Sequence, residues 1–136
     1  MKVLLTGSSG YIGRRLKQKL LQDENIELRL LVRNKKSVSE DLDKKVQVFE
    51  GDTFNVDSLK DALKDVDVAY YLIHSLSSEN YKNLDRISAA NFVNIANECN
   101  VKKIIYLGGL GVKNENTSEH LLSRIETGEV LSSNEN

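Results

Sequence analysis

Short apolar runs alternate along this chain with longer stretches in which apolar positions recur every three or four residues. Residues 2–6 (KVLLT) form a first strand-sized run. After Gly7-Ser8-Ser9-Gly10, residues 11–22 repeat Ile12, Leu16 and Leu20 at helical spacing. Residues 26–32 (IELRLLV) predict a second strand and 46–49 (VQVF) a third; the polar, charged stretch 33–45 between them reads as a loop with room for a short helix. Asn55 is placed to cap a helix that carries Val56, Leu59, Leu63 and Val66 on one stripe. Residues 68–73 (VAYYLI) predict a fourth strand. Ser77 or Ser78 then caps a long helix reaching about Asn100, with Leu84, Ile87, Val93 and Ala96 inward. Residues 103–107 (KIIYL) predict a fifth strand, and 119–133 a last amphipathic helix through Leu121, Leu122, Ile125 and Leu131, ending in a polar, frayed tail over 132–136. Strands separated by helices argue for βαβ units. Near-continuous apolar strands fit a parallel sheet covered on both faces, and right-handed crossovers leave few topologies. The expected fold class is α/β: a doubly wound parallel sheet of five strands with helices on both faces.

Composition narrows the setting. With 136 residues, 40% of them hydrophobic and 29% charged, the chain has the size and make-up of one globular domain. A single cysteine allows no internal disulfide and no cysteine-rich zinc cage. The 19 basic and 20 acidic residues nearly cancel, so no broad field draws the chain to nucleic acid or to an anionic membrane. No apolar run approaches the ~20 residues of a membrane span. Met1-Lys2 leads directly into the first strand, so the expectation is a chain with no signal peptide, in the reduced cytoplasm. Nothing in the sequence speaks to oligomeric state.

The chemistry concentrates in Thr6-Gly7-Ser8-Ser9-Gly10-Tyr11-Ile12-Gly13, where glycines follow a strand and open a helix. That context is the one a dinucleotide fingerprint requires, although the spacing is G-x-x-G-x-x-G rather than G-x-G-x-x-G. Glycine permits the tight turn, bare backbone lets a pyrophosphate approach, and the helix N-terminus offers unpaired N–H groups. Gly13 lets the helix pack closely on the strand. No Gly-Lys-Ser/Thr follows, which excludes a Walker-type phosphate loop.

Further positions follow from where the strands end. In such folds an acid after the second strand suits NAD, and an arginine there suits the 2′-phosphate of NADP. Leu31-Val32-Arg33-Asn34-Lys35-Lys36 holds no acid, so Arg33 is the candidate 2′-phosphate ligand, helped by Lys35, Lys36 or Arg14; the alternative is a solvated basic loop. The expected cofactor is NADP, in preference to NAD. Asp52 and Thr53, in Glu50-Gly51-Asp52-Thr53, are placed to meet the adenine, if Gly51-Asp52 is more than a turn. Ile73 and His74, ending the fourth strand, run beneath the cofactor near its ribose or pyrophosphate. Cys99 and the pair Tyr70-Tyr71 read as packing residues, and Glu119-His120 lacks the second histidine of a metalloprotease helix, so no metal site is expected.

These residues together make the chain resemble the atypical short-chain dehydrogenase/reductases, specifically the NmrA-like and extended epimerase-type NAD(P)-binding Rossmann proteins. Residues 6–13 resemble the fingerprint T-G-x-x-G-[YF]-I-G, and Glu50-Gly51-Asp52 the adenine-side G-D motif. Residues 91–109 resemble the family's fourth helix and fifth strand. Leu107-Gly108-Gly109-Leu110-Gly111 and the later segment 118–124 are similar to a bacterial subgroup described as NAD(P)H-binding or as nucleoside-diphosphate-sugar epimerases. The resemblance spans essentially the whole chain and implies a cofactor-binding N-terminal part. Relatives continue with at least a sixth strand and a substrate-binding segment, so a longer parent protein is expected.

The departures bear on catalysis. Typical family members carry a serine at the end of the fifth strand and a Y-x-x-x-K helix pair; here Gly108 and Gly109 occupy the serine region, and Asp85 stands where extended members have asparagine. Beyond the fifth strand the comparable spacing is His120-x-x-x-Arg124. Histidine titrates near neutrality and arginine stays charged, so the pair can polarise an oxygen but cannot repeat the usual mechanism. The expected function is NADP(H) binding within an oxidoreductase or epimerase-like enzyme acting on a small molecule. The alternative is a dinucleotide-binding sensor or structural module without turnover.

Overall fold

A computed structural model describes residues 1–38, 46–73, 81–108 and 117–133. Among them are five strands and four α-helices: β1 (Lys2–Thr6), α1 (Tyr11–Leu21), β2 (Glu27–Val32), β3 (Gln47–Glu50), α2 (Val56–Leu63), β4 (Val68–Tyr71), α3 (Tyr81–Glu98), β5 (Lys103–Tyr106) and α4 (Glu119–Leu131). A short 3-10 turn, Lys35–Ser37, follows β2. The strands form one all-parallel sheet in the order β3-β2-β1-β4-β5. The chain therefore runs outward from β1 through β2 to β3, returns, and adds β4 and β5 on the other side. β1 is the switch point at which an open α/β sheet forms its binding crevice.

Alternation along β1 divides the interior in two. Val3 and Leu5 join Leu28 and Leu30 of β2 beneath Leu20 of α1. Leu4 faces the opposite way, with Leu31, Ala69 and Tyr71, and is covered by Leu59 and Leu63 of α2, Phe92 and Ala96 of α3 and Leu131 of α4. Both faces of the sheet are thus covered, as the apolar strands predict.

Local chemistry sets the element ends. Asn55 caps α2 by accepting the Ser58 N–H, and Ser118 caps α4 by accepting that of Leu121. Asp65 and Asn100, just past α2 and α3, adopt left-handed backbone (φ 62° and 58°), which short polar side chains tolerate. Asp67 ties three strand starts together: its carboxylate accepts the Lys2 N–H at 2.8 Å, and its carbonyl accepts the Lys102 N–H. Arg29, buried in β2, donates to the carbonyls of Ala62 (3.1 Å) and Lys64 (2.6 Å) at the end of α2, with its guanidinium 5.2 Å from the Phe49 ring centre.

The observed strands β4 and β5 stop short of the predicted runs, at Tyr71 and Tyr106, so Leu72, Ile73 and Leu107 lie beyond the paired strand residues. Ile87, expected inward, is 48% exposed. Val93 and Ala96 are buried as expected, and Asp85, Ser88, Ala89 and Phe92 point inward with them, because two polar residues find buried partners: Ser123 donates to Asp85 (3.3 Å), and Ser88 bonds Tyr71 and Thr53. Ile12 likewise lies exposed in the first turn of α1. The predicted caps Ser77 and Ser78, and tail residues 134–136, fall outside the described residues.

Candidate functional site

The carboxyl ends of β1, β2, β3 and β4 open on a cavity of about 490 Å³. Residues 7–10, 31–34 and 51–54 line it, with Leu72, Ile73 and Ser88.

Three glycines shape its β1 side, for different reasons. Gly7 has φ 78°, and a Cβ there would sit 2.4 Å from the Leu72 carbonyl oxygen. A Cβ on Gly13 would approach the Gly7 carbonyl oxygen to 2.0 Å. Both are therefore demanded by packing. At Gly10 the nearest atom is 3.6 Å away, an ordinary contact, so the protein itself leaves that space open. Gly10 is also the N-cap of α1, contributes no side-chain cap, and no acidic residue occupies the first turn. Helices usually satisfy these N–H groups with Ser, Thr, Asp or Asn. Here an uncapped N-terminus faces an open cradle, an arrangement that fits a pyrophosphate.

Ser8, buried, and Ser9, exposed, line the cavity with Gly7 and Gly10. Tyr11, Ile12 and Gly13 begin α1 and are not among the described lining residues; Tyr11 is exposed, its ring 5.3 Å from the Arg15 guanidinium carbon. Arg33 is exposed and lines the cavity beside Asn34. Lys35, Lys36 and Arg14 are exposed as well but stand outside the described lining. The loop is shaped locally: Asn34 accepts the Lys36 N–H, and Glu50 accepts that of Lys35 at 3.2 Å.

On the β3 side, Gly51 N–H donates to the Val32 carbonyl at 2.8 Å, docking the loop on β2. One Asp52 carboxylate oxygen accepts the Phe54 N–H at 3.0 Å. The Ser58 hydroxyl, also 3.0 Å away, accepts the Asp52 N–H. Thr53 is buried; its carbonyl accepts from Asn91 (2.9 Å) and its hydroxyl from Ser88 (2.8 Å). Ser88 also bonds the Tyr71 hydroxyl, and burial pushes that phenol far above its ordinary range despite the hydrogen bond.

Ile73 lines the cavity at the end of β4, while His74 falls outside the described residues. His120 stands in the first turn of α4 and Arg124 one turn later. Arg124 is not among the described lining residues, and its carbonyl accepts the Tyr106 hydroxyl at 3.2 Å. Gly108 is exposed after β5, and Gly109 lies outside the described residues. The sequence reading missed Ser8, Phe54, Ser58 and Ser88. A serine three residues past Asn55 is a signal for a cap, whereas Ser88 meets its partners only through folding. Among the described residues no group of three or more His, Cys, Asp or Glu gathers as metal ligands, and no helix is long and apolar enough to cross a membrane.

An open parallel sheet whose switch point carries a glycine cradle and an uncapped helix defines a dinucleotide-binding protein of the Rossmann type. A family profile described as NAD(P)H-binding matches residues 7–133, and the chain belongs to that family. Its structure is similar to a nucleoside-diphosphate-sugar epimerase from Staphylococcus aureus (TM-score 0.85, 24% identity), covering 99% of this chain and 47% of that one. It is also similar to the triphenylmethane reductase of a Citrobacter species, solved with NADP(H) (TM-score 0.78, 25% identity, 97% of this chain and 45% of that one). A third likeness is to an NADPH-dependent quinone oxidoreductase of Escherichia coli, solved with NADPH (TM-score 0.79, 21% identity, 98% and 45%). The chain thus spans less than half the length of each of these proteins. No curated protein matches the sequence.

Proposed function

We propose that the chain is the NADP(H)-binding part of a cytoplasmic oxidoreductase or epimerase-like enzyme that acts on a small molecule. The observation that carries this reading is the uncapped N-terminus of α1 under an unobstructed Gly10, open to the cavity. The dinucleotide, when bound, supplies hydride chemistry. In this reading residues 7–10 and the first N–H groups of α1 hold its pyrophosphate. Arg33 neutralises the 2′-phosphate, Asp52 and Thr53 meet the adenine, and Ile73 and His74 support the ribose beyond the pyrophosphate. The reductase and quinone oxidoreductase neighbours, solved with NADP(H) and NADPH, support the choice of NADP. His120 and Arg124 remain the candidates to polarise a substrate oxygen.

A thermal-shift comparison tests the cofactor. A ligand at a hundred times its dissociation constant adds about 2.7 kcal/mol to stability. NADPH is expected to raise the melting temperature more than NADH at equal concentration, and Arg33→Ala to erase the difference. Equal shifts with both cofactors would remove the Arg33 assignment; no shift with either would remove the dinucleotide reading.

A second reading, a dinucleotide sensor without turnover, is favoured by Gly108 in the place of the usual serine and by Arg124 standing outside the described cavity lining. NADPH oxidation against a panel of carbonyls and quinones separates the two: turnover of any member sustains the enzyme.

A further inference from the structure

A chain of three hydroxyls lies behind the cavity. Tyr71, at the end of β4, and Ser88, on α3, are each 1% exposed, and Thr53, in the loop after β3, is 4% exposed. Ser88 Oγ donates to Thr53 Oγ1, which uses its only proton. The Tyr71 hydroxyl also meets Ser88 Oγ, so the phenol must be the donor in that bond. The chain therefore donates in one direction, Tyr71 to Ser88 to Thr53, and ends on an accepting Thr53 oxygen.

Thr53 still carries a proton of its own, and no hydrogen bond within the described residues takes it. The loop holds that hydroxyl in place. Asn91 grips the Thr53 carbonyl, and the Ser58 hydroxyl accepts from the Asp52 N–H while its own proton lies between the loop carbonyls of Asn55 (2.7 Å) and Asp52 (3.0 Å). Thr53 and Ser88 both line the cavity. A buried donor held in place without an acceptor is costly unless a bound group supplies one.

We propose that Thr53 is a specificity-determining donor to the adenosine end of the dinucleotide, and that Ser88 and Tyr71 are positioning residues that set the direction of its proton. The proposal rests on the dinucleotide reading above. Topology gives the adenosine end: Thr53 follows β3, beyond β2, and the terminus of β2 is where such folds receive the adenosine ribose. The partner is a hydrogen-bond acceptor; a ligand donor at the same place would face the Thr53 proton.

The test is the affinity of the whole chain for two half-ligands, adenosine 2′,5′-bisphosphate and nicotinamide mononucleotide. Thr53→Val should weaken the adenosine half at least tenfold and leave the nicotinamide half unchanged, with Thr53→Ser restoring binding. Ser88→Ala, which keeps the Thr53 hydroxyl but removes the bond that aims it, should weaken the adenosine half at least threefold, and it stands in if the valine variant does not fold. The hypoxanthine form of the dinucleotide, in which ring N1 carries a proton, locates the partner. The valine penalty vanishes there if N1 is the acceptor and persists if the acceptor is elsewhere on the adenosine. Wild-type affinity in Thr53→Val, failure of serine to rescue, or equal loss for both halves overturns the proposal and leaves the dinucleotide reading standing. A wild-type chain that binds neither half nor NADPH overturns both.

Discussion

A glycine is informative only when what its missing side chain would strike is known. Gly13 and Gly10 sit three residues apart in one motif and answer to different demands. Gly13 packs against the Gly7 carbonyl, so Gly13→Ala forces backbone apart and should cost about 2 kcal/mol or more in a denaturant titration. Gly10→Ala meets no such obstacle and should keep stability within about 1 kcal/mol, while cofactor affinity falls about tenfold or more because the methyl enters the pyrophosphate's approach. If the two alanine variants prove equally unstable and equally able to bind, the distinction drawn from their surroundings fails. The motif itself was legible because all of its parts are consecutive. Thr53 was legible as a position but not as a hydroxyl donor, since its partner Ser88 comes 35 residues later, on another element.

Among elements, the contacts that join secondary structures were the hardest to foresee. The strand IELRLLV announces burial, yet nothing local says that its arginine stays inside. Arg29 does so by closing the end of α2 through two carbonyls, placing a positive charge where the helix dipole is negative. Among the described residues its Nε has no hydrogen-bond partner, so the burial is only partly compensated. Arg29→Met should therefore cost about 1–3 kcal/mol, smaller than the loss expected for a fully satisfied buried ion. Unchanged stability in that variant would show that the two carbonyls find water instead. The exposed Ile87 teaches the same lesson: periodicity located α3, but the helix is turned so that Asp85 and Ser88, which look like surface residues, meet partners on α4, β4 and the β3 loop. Apolar spacing yields an element and its approximate ends; it does not reveal a buried polar pair.

For the molecule as a whole, the sheet order follows from a few carboxylate and carbonyl links at its lower edge as well as from apolar strands. Asp67 holds the start of β1 through the Lys2 N–H, which lowers its pKa below the ordinary aspartate range, with Lys102 adding to the effect. A carboxyl depressed by folding contributes stability that is present above its unfolded pKa, about 4, and is lost as pH falls through the folded value. Stability measured from pH 6 downward should thus decline in that window, and Asp67→Asn should flatten this part of the decline. An identical acid profile for the variant would assign the loss to other carboxylates. The broad architecture was accessible from alternation alone, because a parallel sheet covered on both faces leaves few arrangements. What alternation could not supply was the cavity's inner wall, where groups from β3, β4 and α3 meet.

The central place of β1 has a consequence for how the chain acquires its shape. Of the five described strands β1 is synthesised first, yet one of its two edges pairs with β4, and the bond from Lys2 to Asp67 spans 65 positions. β2 follows soon enough to occupy the other edge, but the strand at the middle of the sheet must wait with an open, apolar side until β4, Val68–Tyr71, has emerged. Long-range parallel pairing is slow because loop closure precedes any reward. The glycine turn at the end of β1 is therefore a late assembly: Leu72, whose carbonyl packs against Gly7, arrives only with β4. Closure of the glycine turn and docking of β4 become one event, ahead of β5, and a ribosome-bound chain gains its glycine cradle only after β4 has docked.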